Sequence, residues 1–230
     1  MAAPLFLLPG MMCDARLFVS QTEAFSVHRE VQVPVSGRHS TMAEMAREIL
    51  RDAPPRFALA GLSMGGILAM EIMRQAGSRV THLALMDTNH LGDAVSIKPR
   101  RIQQMAAVTD GGLASIMREE MKPNYLAPGA DPAILDLCMD MALGLGDDVF
   151  HNQSLALISR PDYSETLKEI HCPTLLLCGR HDSLCPVSRH QAMAGLIGHA
   201  KLVIAEEAGH LPSLEAPEIV NQALEELLEI

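Results

Sequence analysis

Short apolar runs alternate along this chain with longer stretches of helical periodicity. The runs that we predict as strands cover residues 5–8, 31–35, 57–60, 83–86, 174–178 and 201–205. Each is short and mostly apolar, as is typical of a strand buried on both faces. Strands that alternate with helices predict an α/β fold, built on a mostly parallel sheet of about six strands.

Apolar side chains at helical spacing predict helices between these strands. Residues 41–51 end just before Pro54 and Pro55, a strong stop signal, and residues 65–75 follow the third strand. A closing amphipathic helix has Pro217 near its beginning, where proline is tolerated. Its apolar positions are Leu214, Ile219, Val220, Leu224, Leu227 and Leu228.

Residues 92–163 interrupt the alternation, because they contain helical runs over 102–108, 113–121 and 134–143 but no convincing strand. We therefore predict a helical cap over 92–163, inserted into a core formed by 1–91 and 164–230. The cap is rich in methionine, whose flexible thioether adapts to irregular apolar surfaces. Two interpretations stay open for these residues, packing inside the cap or lining an apolar pocket: Met105, Met117, Met121, Met139 and Met141.

Ser63 lies in Gly61-Leu62-Ser63-Met64-Gly65, directly after the third predicted strand and directly before a helix. A Gly-x-Ser-x-Gly pattern also occurs in ordinary glycine-rich turns with a surface serine. The strand-turn-helix context is what the nucleophile elbow requires, because small flanking residues allow the strained turn that lifts the hydroxyl above the sheet. Ser63 is therefore the candidate nucleophile.

A serine nucleophile needs a base, and the base needs an acid that orients it. His210 follows the last predicted strand, so its loop can return over Ser63; the other histidines are expected at the surface or in loops, with His90 beside the cleft. Asp182 and Asp87 each follow a strand and compete as the acid. We favour Asp182, because it lies between serine and histidine in the usual order, and otherwise interpret Asp87 as a capping residue.

Backbone N–H groups must stabilise the oxyanion that such chemistry creates. Gly10 permits a sharp turn after the first strand, which predicts the N–H of Met11 as one donor. The N–H of Met64, at the start of the helix behind Ser63, is the second candidate.

Composition narrows the classes of partner. The formal net charge is −10, and no cluster of Lys and Arg could neutralise phosphates, so we expect no nucleic-acid partner. Five cysteines without a C-x-x-C pair indicate reduced thiols, with no metal site and no cofactor. The apolar run at 4–8 has no basic residues before it, so we interpret it as a strand rather than a signal segment. The expectation is a soluble, cytoplasmic protein with a small-molecule substrate and no membrane partner.

These motifs together resemble the α/β-hydrolase superfamily, in its small lidded branch of esterases, enol-lactonases, carbon-carbon bond hydrolases and perhydrolases. The resemblance rests on Gly61 to Gly66, on Gly179-Arg180-His181-Asp182 followed by Pro186, and on Ala208-Gly209-His210 followed by Glu215 and Pro217. Pro9-Gly10 replaces the His-Gly usual at the oxyanion turn, which removes a side chain that often braces the loop. The usual N-terminal hairpin is missing, so six strands are expected rather than eight.

The resemblance implies a serine hydrolase that cleaves an ester, a lactone or a related carbonyl bond. Two alternatives remain: a carbon-carbon bond hydrolase or lyase using the same residues, and a non-catalytic ligand-binding protein of the same fold. Charged residues of the predicted cap either meet a substrate carboxylate or are solvated surface. They are Arg100, Arg101, Arg118, Lys122 and Arg160.

Overall fold

The structure, a computed structural model, describes residues 2–229. Six parallel strands form one sheet in the order β2-β1-β3-β4-β5-β6. The predicted α/β fold and strand number are confirmed. The strands are β1 (Leu5–Leu8), β2 (Val31–Gln32), β3 (Phe57–Leu62), β4 (Val80–Met86), β5 (Thr174–Gly179) and β6 (Lys201–Ala205).

The two edge strands differ from the prediction. Strand β2 is shorter than the predicted 31–35 and pairs with β1 through Val31 and Gln32 alone. Pro34 has no N–H to donate to a ladder, which limits pairing beyond this point. Strand β6 was predicted to be buried on both faces, yet four of its five residues are exposed or half-buried. An edge strand has one sheet neighbour and is covered less completely.

Helices cover both faces of the sheet. They are α1 (Val19–Phe25), α2 (Met42–Asp52), α3 (Met64–Ala76), α4 (Lys98–Thr109), α5 (Leu113–Ile116), α6 (Ala133–Leu145), α7 (Asp147–Ser159), α8 (Ser164–Lys168), α9 (Val187–Ile197), α10 (Pro212–Glu215) and α11 (Pro217–Leu228). No helix in residues 2–229 is long and apolar enough to cross a membrane.

The core consists of two clusters, one on each face of the sheet. In β1, Phe6 and Leu8 pack into one cluster, whereas Leu5 and Leu7 pack into the other. Successive side chains of a strand point to opposite faces, so a wholly apolar strand supplies both clusters. This explains why the central strands are continuous apolar runs.

Helix α2 begins where the sequence predicts. Thr41 caps it, because its Oγ1 accepts a hydrogen bond from the N–H of Glu44 at 3.2 Å and donates one to the Glu44 carboxylate at 2.8 Å. This side-chain cap satisfies the Glu44 N–H, one of the groups that the first helical turn leaves unpaired. Met42, Met45 and Ile49 are buried on the inner face.

The closing helix is interrupted, in contrast to the single helix predicted from Leu214. Helix α10 ends at Glu215, and α11 begins at Pro217. Ala216 between them has φ −141° and ψ 57°, outside the helical region. The residue before a proline is disfavoured in the helical conformation, which explains the break. Ile219, predicted on the buried face, is 43% exposed.

Helices α4 to α7 lie between β4 and β5, and residues 92–163 contain no strand. Residues 117–121 continue α5 as a π-helix. Helix α7, which the sequence analysis did not identify, contacts α4 and buries Phe150 and Gln153. That residues 92–163 form a separate cap stays a prediction.

Candidate active site

Ser63 is the single residue between β3 and α3, and it has a strained backbone. Its φ is 56° and its ψ is −117°, a positive φ that side chains other than glycine rarely adopt. Such strain costs about 1–3 kcal/mol and persists where the surrounding structure enforces it. The N–H of Ser63 donates to Met86 O on β4 at 2.9 Å, which fixes the turn to the sheet.

The glycines beside Ser63 are required by close backbone contacts. A Cβ on Gly65 would lie 1.9 Å from Leu8 O, and a Cβ on Gly61 would lie 2.2 Å from Gly65 O. No larger residue fits without moving backbone. The sequence can therefore make this turn, and α3 can pack against β1, because glycine occupies both positions.

His210 lies in the loop after β6, where it bridges Ser63 and Asp182. Its Nε2 lies 2.9 Å from Ser63 Oγ, and its Nδ1 lies 2.8 Å from Asp182 Oδ2. The N–H of His210 donates to Tyr125 O at 2.7 Å, which ties the loop to the segment after α5. The structure thus brings together three residues that are far apart in the sequence.

Glu215 holds the His210 loop through backbone hydrogen bonds, a role that the sequence analysis did not identify. Its carboxylate accepts hydrogen bonds from the N–H groups of Gly209 at 3.0 Å, Leu211 at 2.9 Å and Ala127 at 2.8 Å. An acceptor-only side chain suits three converging N–H donors. The signal in the sequence is an acidic residue shortly after His210, at the end of a short helical turn.

Asp182 is buried and held by two kinds of partner. Oδ2 faces His210, while Oδ1 accepts from the N–H groups of Leu184 at 2.8 Å and Cys185 at 3.0 Å. Burial opposes ionisation, yet the hydrogen bond and charge of His210, with the Cys185 N–H, hold the pKa of Asp182 below its usual value. Asp182 is therefore an ionised carboxylate at neutral pH.

Asp87 makes no hydrogen bond to His210. It is fully buried, its Oδ1 accepts from the Gly179 N–H at 2.8 Å, and its Oδ2 has no partner among residues 2–229. Burial, and next the negative charge of Asp182, raise the pKa of Asp87 well above its usual value. The environment of Asp87 thus favours its protonated form. Of the two candidate acids, the structure thus brings Asp182 within hydrogen-bonding distance of His210, and the one hydrogen bond of Asp87 among residues 2–229 that involves its side chain comes from Gly179 rather than from the segment that follows Asp87.

The histidine assignments need one correction. His190, expected at the surface or in a loop, is completely buried on α9, and its Nε2 accepts from the Thr88 N–H at 3.2 Å. Burial lowers the pKa of His190 to about 4, so it is neutral at neutral pH. The ring lies on the buried face of α9, beside Met193 and Ile197 at helical spacing.

Met11 and Met64 line the same cavity as Ser63. Met64 is the first residue of α3, so its N–H has no acceptor within the helix. Gly10 approaches closely, since a Cβ placed there would lie 3.4 Å from Ser63 Cβ. Neither N–H has a hydrogen-bond partner among the described residues. These two N–H groups stay the candidate oxyanion donors.

Gln153 on α7 braces the loop that carries Met11. Met12 has a φ of 56°, and its N–H donates to Gln153 Oε1 at 2.9 Å. Gln153 Nε2 in turn donates to Ser36 O at 2.6 Å. Where the resemblance leads one to expect a bracing histidine before Gly10, this chain has Pro9 and a glutamine from a distant helix. No sequence pattern pointed to Gln153.

A cavity of about 480 Å³ opens beside Ser63 and His210. Of the charged candidates, Arg100, Arg101 and Arg160 line it, whereas Arg118 and Lys122 do not. Of the methionines in 92–163, Met121 alone lines it, and the others pack in or against the core clusters.

The aromatic residues in and beside 92–163 differ in position. Tyr125 lines the cavity, while Phe150 and Tyr163 are buried in the core. His90 is buried and does not belong to the lining. Another cleft, of about 750 Å³ around Met73 and Arg74, contains none of the site residues.

One group of possible metal ligands occurs in residues 2–229. Asp182, Cys185 and His210 have ligand atoms within 4.8 Å of one another. Asp182 and His210 are already hydrogen-bonded to each other, and burial raises the pKa of the Cys185 thiol well above its usual value. A metal binds the thiolate rather than the thiol, so burial makes Cys185 a poor metal ligand. The pairing of Asp182 with His210 therefore explains this group better than a metal site does.

Known proteins resemble the chain over most of its length. The model of a family described as the alpha/beta hydrolase family matches residues 19–223. A pimeloyl-[acyl-carrier protein] methyl ester esterase from Aromatoleum aromaticum is 24% identical over 83% of this chain and 81% of its own length. The dihydrolipoyllysine-residue acetyltransferase component of an acetoin cleaving system from Pseudomonas putida is 28% identical over 72% of this chain, which spans 44% of that relative.

Solved structures agree with the fold. A thermophilic esterase from Thermogutta terrifontis, with malate bound, has a TM-score of 0.90 at 28% identity, covering 100% of this chain and 90% of the esterase. An enol-lactonase from Burkholderia xenovorans LB400 has a TM-score of 0.88 at 19% identity, covering 100% and 92%. At that lower identity the likeness concerns the fold alone.

Proposed function

The chain belongs to the alpha/beta hydrolase family, and from this premise we propose that it hydrolyses a carboxylic ester or lactone of a small substrate through Ser63, His210 and Asp182. The observation that carries the proposal is the continuous hydrogen-bonded path from Ser63 Oγ through His210 to the Asp182 carboxylate. A positioned base and a strained serine beside a cavity are the parts that acyl transfer needs.

In the first step, Ser63 Oγ attacks the substrate carbonyl carbon while its proton moves to His210 Nε2. This transfer requires a neutral imidazole with its proton on Nδ1, directed at Asp182. The geometry favours that tautomer, because the ionised Asp182 carboxylate accepts at Nδ1 while Nε2 faces the hydroxyl. Asp182 also stabilises the imidazolium that forms.

The carbonyl oxygen gains a negative charge as the carbon becomes tetrahedral. The N–H groups of Met11 and Met64 donate to this oxygen, and being fixed in the backbone they need no reorganisation. Gln153 keeps the Met11 loop in place through the Met12 N–H. One such donor contributes about 2.7–4 kcal/mol of transition-state stabilisation in a serine hydrolase.

The tetrahedral intermediate then collapses. The carbon-oxygen bond to the leaving group breaks, and the proton on His210 Nε2 passes to the alcohol oxygen, which leaves an acyl group on Ser63 Oγ. A water molecule repeats the sequence: His210 takes its proton, the hydroxide attacks the acyl carbon, and Ser63 is released with its proton restored. The products are a carboxylic acid and an alcohol, joined in one molecule when the substrate is a lactone.

The comparisons support an ester as the bond that is cleaved. The 28% identical solved structure is an esterase, and a relative that matches 83% of this chain is a methyl ester esterase. Carbon-carbon bond cleavage uses the same three residues, but nothing in the site favours it. A hydrolytic role also explains why the strained Ser63 and two unpaired N–H groups occur together, which a binding protein would not require.

The test is a screen of short-chain, aryl and lactone esters, with acid release followed directly. We expect Ser63→Ala to lower turnover of any substrate by several orders of magnitude, since triad residues act as a unit. Ser188→Ala, which truncates an exposed serine on α9, is the control and should leave turnover unchanged. Undiminished turnover by Ser63→Ala would overturn the proposal, as would ligand-induced stabilisation by esters that are never cleaved.

A further inference from the structure

The cavity lining combines apolar side chains, among them Met11, Ile67 and Leu157, with a charged wall. The wall contains three arginines and two carboxylates: Arg100, Arg101, Arg160, Asp93 and Glu120. It therefore carries one excess positive charge, although the formal net charge of the whole chain is −10. A positive wall in an acidic protein indicates a ligand with negative charge.

Asp93 organises this wall from a buried position. Its side chain is 1% exposed, and its two oxygens pair with Arg101 Nε at 2.8 Å and with Arg160 Nη1 at 3.0 Å. One buried carboxylate needs one cation for neutrality, and Arg160, 6% exposed, already supplies it. The second arginine is in excess of what burial of Asp93 requires.

Arg160 is fixed further by backbone carbonyl groups. Its Nε donates to Leu91 O at 3.0 Å, and its Nη1 donates to Leu157 O at 3.4 Å. Arg160 thus serves to anchor Asp93, and Asp93 in turn fixes the Nε side of Arg101. The Arg101 guanidinium is held in one orientation before any ligand arrives, which lowers the entropy cost of binding.

Arg101 has donors left over. Its side chain is 20% exposed and lines the cavity, and neither of its Nη groups has a hydrogen-bond partner among residues 2–229. Two parallel N–H bonds from a planar guanidinium match the two oxygens of a carboxylate. By contrast, the Arg100 side chain is 58% exposed and pairs with Glu120 at the outer part of the wall.

We propose that Arg101 binds a carboxylate of the substrate, so that the substrate is an ester or lactone bearing a second, free carboxylate away from the bond that is cleaved. The apolar lining accommodates the carbon chain between the two groups. This inference rests on the proposed function for the cleavage itself. The anion site stands on the Asp93, Arg101 and Arg160 geometry alone.

The experiment compares two matched substrates. Phenyl half-esters of straight-chain dicarboxylic acids of increasing length carry the free carboxylate, and the corresponding phenyl esters with a terminal carboxamide have nearly the same shape without the charge. Phenol release is followed for the native enzyme, for Arg101→Gln and for Arg118→Gln. Arg118 is the matched control, because it is an exposed arginine in the π-helical stretch 117–121 and does not line the cavity.

We expect the native enzyme to prefer the half-ester at one chain length. Arg101→Gln should lower kcat/KM for that half-ester by about 10- to 100-fold, the worth of charge-assisted hydrogen bonds. It should change kcat/KM for the carboxamide by less than about threefold. Arg118→Gln should alter neither. An equal loss for both substrates in Arg101→Gln, or no preference in the native enzyme, would overturn the inference.

Direct binding separates this inference from the proposed function. The free dicarboxylate of matching length, titrated calorimetrically, should bind the native enzyme and bind Arg101→Gln about 10- to 100-fold more weakly. If no ester is cleaved but this binding pattern holds, the anion site stands and the proposed function fails. If esters are cleaved through Ser63 while the dicarboxylate binds both proteins equally, the anion site is wrong and the hydrolase stands.

Discussion

Exchanging each of two neighbouring carboxyl groups for an amide separates their roles. Asp182 is ionised and hydrogen-bonded to His210, whereas the pKa of Asp87 is raised well above its usual value and its carboxyl group accepts from the Gly179 N–H. Asparagine has the shape of a protonated aspartic acid and keeps one carbonyl acceptor. We therefore expect Asp87→Asn to preserve the native arrangement and Asp182→Asn to lose the charge that His210 requires.

The size of the activity loss follows from these roles. Amide replacement of the orienting acid lowers kcat by about 10⁴-fold in a serine protease, because the imidazole is then held in the wrong tautomer. Asp182→Asn should lose activity on that scale. Asp87→Asn should lose less than about tenfold, because the new side-chain amide can still accept the Gly179 N–H and carries no new charge.

Stability against pH provides a second, independent measure of Asp87. Its pKa is raised in the folded state, so between the usual value of 3.8 and the raised value the folded protein binds more protons than the unfolded chain. The unfolding free energy of the native protein therefore decreases as the pH rises, by up to about 1.4 kcal/mol per pH unit. Asparagine does not titrate, so Asp87→Asn should gain stability relative to the native protein as the pH rises from the usual pKa of 3.8 towards neutrality.

The assay is urea unfolding of both proteins across that pH range, together with kcat/KM for any substrate that the native enzyme turns over. The gap in unfolding free energy should widen with pH in favour of Asp87→Asn. If Asp87→Asn loses activity as severely as Asp182→Asn, then Asp87 shares the role of the acid and the assignment is wrong. A pH-independent gap would show that Asp87 is already ionised in the folded protein.

Three further changes test the elements that support the site. Gly65→Ala should prevent folding or lower the unfolding free energy, measured in urea, by more than about 3 kcal/mol, because its Cβ would meet Leu8 O at 1.9 Å. Gly195→Ala on α9 is the control: a Cβ there meets nothing within 4 Å, so the unfolding free energy should rise by about 0.5–1 kcal/mol. Gln153→Ala should lower kcat more than it changes KM, because the Met12 N–H loses its acceptor and the Met11 loop loosens; an unchanged kcat would refute the bracing role. Glu215→Ala should lower the unfolding free energy by several kcal/mol, since three buried N–H groups lose their acceptor at about 1–3 kcal/mol each, and an unchanged urea midpoint would contradict it.

Local patterns were sufficient to predict most of the fold. Central strands such as β1 and β3 are continuous apolar runs, and the glycines around Ser63 mark a turn that backbone contacts enforce. The prediction was wrong at an edge of the sheet and at a proline. Strand β6 is exposed because it lies at an edge, and the break at Ala216 depends on how Pro217 constrains the residue before it.

The site was predictable wherever a residue follows a strand end. Ser63, Asp182 and His210 each do so, and parallel strands bring such ends to one edge of the sheet. Gln153 could not be found in this way, because it lies on α7, a helix whose packing no strand pattern specifies. Arg101 on α4 was one of five charged candidates, and the structure was needed to distinguish it from Arg118 and Lys122. Choosing between Asp87 and Asp182 likewise required the structure, which shows that Asp182 lies within hydrogen-bonding distance of His210.

Mass spectrometry of an acyl-enzyme tests the central claim most directly. The enzyme is mixed with a slowly deacylated ester, quenched with acid and digested with trypsin, which releases residues 57–74 as one peptide that contains Ser63. We predict that this peptide gains the mass of the acyl group in the native enzyme, and that Ser63→Ala and His210→Gln do not form the adduct. Turnover of the ester with no adduct at Ser63, and at an undiminished rate in Ser63→Ala, would contradict the account.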